Sequence, residues 1–257
     1  MTLIGRSIGC RRIRRSCCWP SASGRDRRMR FQDAAPDARA VVYAGIQADP
    51  LVARAAALLA DATQGERILA RAVMNGTSTD AAAWRAMFPT LFGGAGATGD
   101  GDAVARREAI LAASLAVAER GEGARQQFRG AIVESLTEIL ARRRPAAQGT
   151  PSAVRRERRI LFDGVRAEIH PYDVTVETDG RAEAIDCKWG ARGISADVLH
   201  QLDDARSHAA DEDERLAVTL VVFDARRSCD VRLERETAPH DGTRLVTLET
   251  LDELAAG

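Results

Sequence analysis

Apolar positions recur every three or four residues over 41–73 and again over 103–118, where Ile110, Leu111 and Leu115 share one face, so both stretches are predicted to be helical. Asp80 is placed to cap a short helix over 81–87, which Pro89 limits. A further helix is predicted over 124–144, stopping before Pro145 because proline cannot continue the hydrogen-bond ladder. Residues 33–145 thus read as helical and Ala-rich. Beyond them the period shortens. Strands are predicted over 159–162, over 166–177 with a break at Pro171, and over 181–189. Ser195 can cap a helix to about residue 210, with Val198, Leu199, Leu202 and Ala205 on its apolar side. Residues 216–223 are nearly all apolar, as in a strand buried on both faces. Strand, helix and buried strand form a crossover unit, expected to be right-handed. Residues 231–233 and 245–248 are expected to add edge strands.

The expected fold is therefore α+β or α/β: a helical amino-terminal region, then an α/β domain whose mixed central sheet is flanked by helices. Three segments are expected: residues 1–30 as a basic leader, 31–123 as an all-helical region, and 124–257 as the α/β domain. Residues 142–153, with Pro145, Gly149 and Pro151, read as a linker. Gly94-Ala95-Gly96-Ala97-Thr98-Gly99 spells GxGxxG. A dinucleotide site needs that motif between a strand and a helix, and the preceding residues 84–92 look helical, so it is read as a small-residue linker.

A chain of 257 residues that is 45% hydrophobic can bury a sizeable core without disulfides. Its net charge is zero, but residues 1–30 carry +8 (nine Arg, one acid) and residues 151–257 carry −8 (fifteen basic, twenty-three acidic). A domain-wide basic field for gripping nucleic acid is absent. The leader reads as a tail, or as an upstream extension of a gene that starts at Met29; a phosphate-binding arm is the functional alternative. The five Cys show no zinc spacing. No apolar run approaches the roughly 20 residues of a membrane span, and a reduced cytoplasm is the expected compartment.

Candidate chemistry comes from a hairpin. Asp179-Gly180 is a two-residue type I′ turn signal. Counting back from it pairs Thr178 with Arg181, Val176 with Glu183, Val174 with Ile185, and Asp173 with Asp186. Alternation then places Asp173, Thr175, Ala184, Asp186 and Lys188 on one face, and Val174, Val176, Ile185 and Cys187 on a core face, where Glu183 is a misfit. Two acids directly opposite each other destabilise a hairpin. They make sense around a hard cation such as Mg²⁺, which takes oxygen ligands. Lys188 is the only lysine in the chain, beside thirty-six Arg. A compact ammonium is suited to approach a metal-bound water, where a guanidinium is not.

A helix with Glu134, a strand with Asp173, then Asp186-Cys187-Lys188, a helix and a buried strand: this order resembles the PD-(D/E)XK phosphodiesterase superfamily, with its restriction-endonuclease-like fold. The resemblance covers roughly residues 124–224. It implies Mg²⁺ or Mn²⁺ held by Asp173, Asp186, the Cys187 carbonyl and Glu134, with Lys188 handling the attacking water. Two departures stand out: Pro171-Tyr172-Asp173 is one residue longer than the family's Pro-Asp, and the second acid is Asp. Glu134 projects nearly opposite the Ile132/Leu136/Ile139/Leu140 stripe, which makes a solvent-exposed glutamate an equal reading. Gln201 matches a polar position on the following helix. Arg155 and Arg156, with neighbouring arginines, are candidates for phosphate contacts or for a solvated linker with Glu157 as internal partner. The implied function is metal-dependent cleavage of nucleic acid, DNA ahead of RNA, in restriction, phage defence or repair. A homodimer is also open, and no membrane is expected. The alternative is an inactive nuclease-fold module that binds protein.

Overall fold

The computed structural model describes residues 29–34, 38–93, 101–145, 152–166, 170–178 and 181–256. The expected leader up to residue 28, the GxGxxG stretch and the Asp179-Gly180 turn lie outside the described residues. The chain opens with a strand, β1 (Met29–Asp33), followed by helices α1 (Ala38–Gln47), α2 (Pro50–Ala60) and α3 (Gln64–Asn75). Asp49 caps α2 ahead of Pro50, and Thr63 with Glu66 forms a capping box on α3, each satisfying amides that the first helical turn leaves unpaired. Then come α4 (Ala81–Met87), which Asp80 caps as expected, α5 (Pro89–Phe92), α6 (Gly101–Ala118) and α7 (Glu122–Arg142). The second half holds β2 (Ala153–Phe162), β3 (Val165–Arg166), β4 (Tyr172–Thr178), β5 (Arg181–Lys188), a 3-10 turn (Ala191–Gly193), α8 (Ala196–Asp211), β6 (Leu216–Val222), α9 (Arg226–Leu233), β7 (Thr243–Val246) and α10 (Glu253–Ala256).

One mixed sheet runs in the order β1-β2-β4-β5-β6-β7, with β3 paired to β2. It is antiparallel from β1 to β5 and parallel from β5 to β7. The hairpin register is the expected one from Thr178–Arg181 through Val176–Glu183 to Val174–Ile185, but the expected Asp173–Asp186 pair is not part of the ladder. Ser195 caps α8 through the Val198 amide. The helix leads from β5 to the parallel strand β6, whose residues 218–222 are all buried.

Both faces of the sheet are covered. On one side α7 is buried all round at residues 131–137, with Ile132 and Leu136 in a core shared by Val52 and Leu59 of α2, Ile110 of α6, and Val174, Val176, Ile185 and Cys187 of the hairpin. The expected boundary at residue 123 is thus no break in packing, because one core joins the helical region to the sheet. On the other side α8 lays Leu199, Leu202 and Ala205 over Ile160, Tyr172, Ala184 and Leu220. On that face of the hairpin, Thr175 and Ala184 are both fully buried.

Met29 and Arg30, assigned to the leader, belong to β1, which pairs along β2 and buries Met29. The arginines at 155–159 lie in β2, and only residues 159–162 were expected to be a strand there. Residues 231–233 are the end of α9, not an edge strand; Arg226–Asp230 and Arg232–Glu236 ion pairs at i,i+4 spacing support the helical turn. Glu183, the misfit on the core face, is neutralised by Arg144 and accepts the Thr219 hydroxyl.

Candidate metal centre

Pairing between β4 and β5 ends at Val174–Ile185. A continued ladder would send the Cys187 amide to the Tyr172 carbonyl. Instead that amide donates to Oδ2 of the Asp173 carboxylate, at 2.6 Å. The strands part there, and a carboxylate occupies the gap.

The neighbouring strand breaks in the same row. Glu157 of β2 stands opposite Asp173, between the pairs Arg156–Val174 and Arg158–Tyr172. Its φ of 51° is left-handed, an unfavourable conformation for a residue with a side chain. Both strands turn over at this row. Val154 and Val174 before it pack on the α7 side, while Ile160 and Tyr172 beyond it pack on the α8 side. Regular alternation from the hairpin turn therefore does not run through Asp173.

Over this break lie α1 and α7. Glu134 of α7 is only 5% exposed, which removes the solvent-exposed reading of that residue. Its two oxygens accept from the Tyr43 hydroxyl and, at 2.8 Å, from the Gln47 amide. The same Gln47 amide donates to Glu157 at 3.2 Å. On β5, the Lys188 ammonium is in ion-pair contact with Oδ1 of Asp186, a residue that is 9% exposed. Oδ1 is buried and receives no aligned hydrogen bond.

These charges act on one another. Burial pushes the Asp173 carboxyl well above its ordinary value, and the negative charges of Asp186 and Glu134 push it further. Burial likewise raises Glu134, against the hydrogen bonds from Tyr43 and Gln47, and raises Glu157 against the bond from Gln47. Burial pulls the Lys188 ammonium down, but Asp186 and Asp173 outweigh it and hold Lys188 above the ordinary lysine value. The site thus gathers buried carboxyl groups that burial holds toward the neutral form, with Lys188 and Arg156 as nearby cations.

The donor set is rich in oxygen, the ligand type that a hard divalent cation takes. Among the described residues no three His, Cys, Asp or Glu side chains converge on one point. Mg²⁺, however, is typically held by one or two carboxylates and completes its octahedron with water and substrate phosphate. Asp186 Oδ1 is a buried oxygen in contact with Lys188, and burial together with the charges of Asp186 and Glu134 disfavours the Asp173 carboxyl as an anion.

Asp173, Asp186, Lys188 and Glu134 thus act within one electrostatic neighbourhood. The Cys187 thiol faces away, buried and within hydrogen-bond reach of Thr137, at 3.5 Å. Gln201 stands apart on α8: its side chain donates to the His170 carbonyl at 3.1 Å, and its carbonyl accepts from Tyr172. Arg156 is committed to Glu138 and Ser135 of α7. Arg155 is exposed and pairs with Thr175, on the hairpin-turn side of the break. Trp189 packs on Phe223, with ring centroids 5.0 Å apart. The sequence pattern did not identify Glu157, Tyr43 or Gln47. Glu157 is an acid among four arginines, and nothing in its neighbours announces a left-handed backbone.

Comparison of the chain with protein-family models, with curated proteins and with solved structures finds no match. Among the described residues no helix is long and apolar enough to cross a membrane.

Proposed function

We propose that the chain is a divalent-metal-dependent phosphodiesterase that hydrolyses nucleic acid, DNA ahead of RNA, with a restriction-endonuclease-like arrangement of its second half. One observation carries this reading. Where β4 and β5 part, the Asp173 carboxylate takes the Cys187 amide, beside an Asp186 carboxylate in contact with the chain's only lysine. Strand β5, helix α8 and parallel strand β6 follow in the order the resemblance requires. Restriction, phage defence and repair are the roles this reading allows.

Asp173 and Asp186 would hold Mg²⁺ or Mn²⁺, with the Cys187 carbonyl as a further oxygen donor, while Glu134, whose oxygens are taken by Tyr43 and Gln47, would stand behind them. Bound there, the cation would stabilise charge on the phosphoryl oxygens and lower the pKa of the attacking water. Lys188, in ion-pair contact with Asp186, would serve as a hydrogen-bond donor at the site. It orients the water oxygen and steadies the charge that develops on phosphate. The Cys187 amide fixes the Asp173 carboxylate, and Tyr43 with Gln47 fixes Glu134, so neither acid must reorganise as substrate binds. Hydrolysis joins the water oxygen to phosphorus and breaks the bond to the leaving oxygen, which takes up a proton.

The rival reading, an inactive module that docks on a protein partner, draws on the −8 charge of residues 151–257. A docking face must be exposed, though, and Asp186 and Glu134 are buried. The two readings separate when purified protein meets plasmid, linear and single-stranded DNA and RNA in Mg²⁺, Mn²⁺ or EDTA. Cleavage that requires the cation supports the phosphodiesterase. Intact substrates throughout, with a stable folded protein, favour the docking module.

A further inference from the structure

The turn that follows β5 presses on the lysine that ends the strand. A Cβ added at Gly193 would lie 2.9 Å from Lys188 Cδ, 3.0 Å from its Cβ and 3.1 Å from its Cγ, so this turn backs most of the lysine stem. At the far end of the stem the ammonium meets Asp186. A lysine stem is flexible, and its ammonium keeps one place only where the surroundings impose it.

The turn is pinned at both ends. Inside it the Gly193 amide donates to the Gly190 carbonyl at 2.8 Å, and the Ile194 amide to the Ala191 carbonyl at 3.1 Å. At its start the Ala191 amide donates to Oδ2 of Asp224 at 3.0 Å. At its end the Ile194 carbonyl accepts from Arg232 Nε of α9 at 2.9 Å.

Asp224 comes directly after the Phe223 amide that donates to the Lys188 carbonyl at 2.8 Å, so it stands where β5 and β6 end together. It is only 6% exposed. Its Oδ1 accepts from the Ala225 amide at 2.8 Å, and its Oδ2 also meets Arg71 Nη2 at 2.6 Å. Arg71 belongs to α3 and donates through Nε to the Phe223 carbonyl at 3.0 Å. An exposed ion pair would contribute little. Here a guanidinium fixes the orientation of a buried carboxylate, and that carboxylate holds the turn. We propose that Asp224, fixed by Arg71, is a positioning residue for Lys188: it holds the 190–194 turn against the lysine stem and so sets where the ammonium stands. Its bearing on catalysis rests on the phosphodiesterase reading. It also gives the helical region a part in the site, since α3 supplies Arg71.

Lys188 is the only lysine, so full chain labelled with ¹³C-lysine gives a nuclear magnetic resonance spectrum of that one side chain. The two Hε protons of a held side chain resonate apart, and those of a freely turning one coincide. In EDTA the wild type is expected to show them apart. Asp224→Asn keeps the size of the side chain but presents an amide to N–H donors, and should merge them. Arg232→Met changes a side chain that is 38% exposed at the other end of the turn, and should act in the same direction. Arg226→Met, on the same helix but paired with Asp230, should leave the wild-type signals. In cleavage, Asp224→Asn should lower kcat by about tenfold or more with KM retained. Wild-type signals in folded Asp224→Asn overturn the proposal, as they do in Arg232→Met if Asp224→Asn does not fold. Merged signals in the wild type, or equal merging in Arg226→Met, overturn it too. The spectrum needs no substrate, so a wild type that cleaves nothing sinks the phosphodiesterase reading while the positioning of Lys188 stands or falls by the spectrum.

Discussion

The Cys187 amide donates to the Asp173 carboxylate at 2.6 Å, one step beyond the last pair of the β4–β5 ladder. A backbone donor that would continue the hairpin is given to a side chain instead. This one substitution of partner makes the gap, seats an acid in it, and brings that acid under the influence of Asp186, Glu134 and Lys188.

Lys188 is a compact donor held against Asp186. Lys188→Ala should lower single-turnover cleavage by about a hundredfold or more, as removal of a donor to developing charge does elsewhere. Lys188→Arg should not restore it, because the larger planar guanidinium cannot occupy the same place. Wild-type rates in the Arg variant would mean that only a positive charge is needed there.

Gly193 offers a second route to the same lysine. A Cβ added at this residue would lie 2.9 Å from Lys188 Cδ and 3.0 Å from its Cβ. Gly193→Ala should therefore displace the Lys188 side chain and cut cleavage by about tenfold or more, with little change in circular dichroism. An unchanged rate would show that the position of Lys188 does not matter.

The buried acids predict a pH dependence of stability. Burial raises the Glu157 carboxyl above its ordinary value of 4.5 in the folded chain. The folded state then holds more protons than the unfolded state above that value. Its contribution is complete below about pH 4.5 and is lost as the pH rises through the folded value. Glu157→Gln cannot lose that proton. Its melting temperature relative to wild type should rise as the pH goes from 4.5 toward neutrality, as thermal melts across that range would show. A constant offset across the range would contradict the assignment.

Tyr43 donates to Glu134, whose carboxylate is almost wholly buried. Tyr43→Phe leaves that acceptor one donor short and should cost about 1–3 kcal/mol of stability in urea unfolding. A neutral effect would place Glu134 outside the network.

Much of the frame was legible in local chemistry. Asp80 and Ser195 mark helix starts because their side chains accept amides that each helix leaves unpaired. Asp179-Gly180 set the pairing from Thr178 to Val174, because a two-residue loop leaves one register open. What lay beyond was decided by non-local packing. β1 is a five-residue edge strand whose partner, β2, follows more than a hundred residues later. The row through Glu157 and Asp173 turns over at a left-handed glutamate, a conformation no local residue preference announces. Residues 231–233 alternate as a short strand would, but α9 settles as a helix with its own ion pairs and buried Cys229. The burial of Glu134 follows from α7 being enclosed on all sides, so its helical projection carried no information about solvent.

The central claim is that Asp186 belongs to a cation-dependent cleavage site. Single-turnover cleavage of DNA in Mg²⁺, with EDTA as control, should be measured for wild type and for Asp186→Asn at matched folded fractions. The expected result is Mg²⁺-dependent cleavage by wild type and a loss of at least about a hundredfold in the variant. Cleavage at the wild-type rate by Asp186→Asn would contradict it.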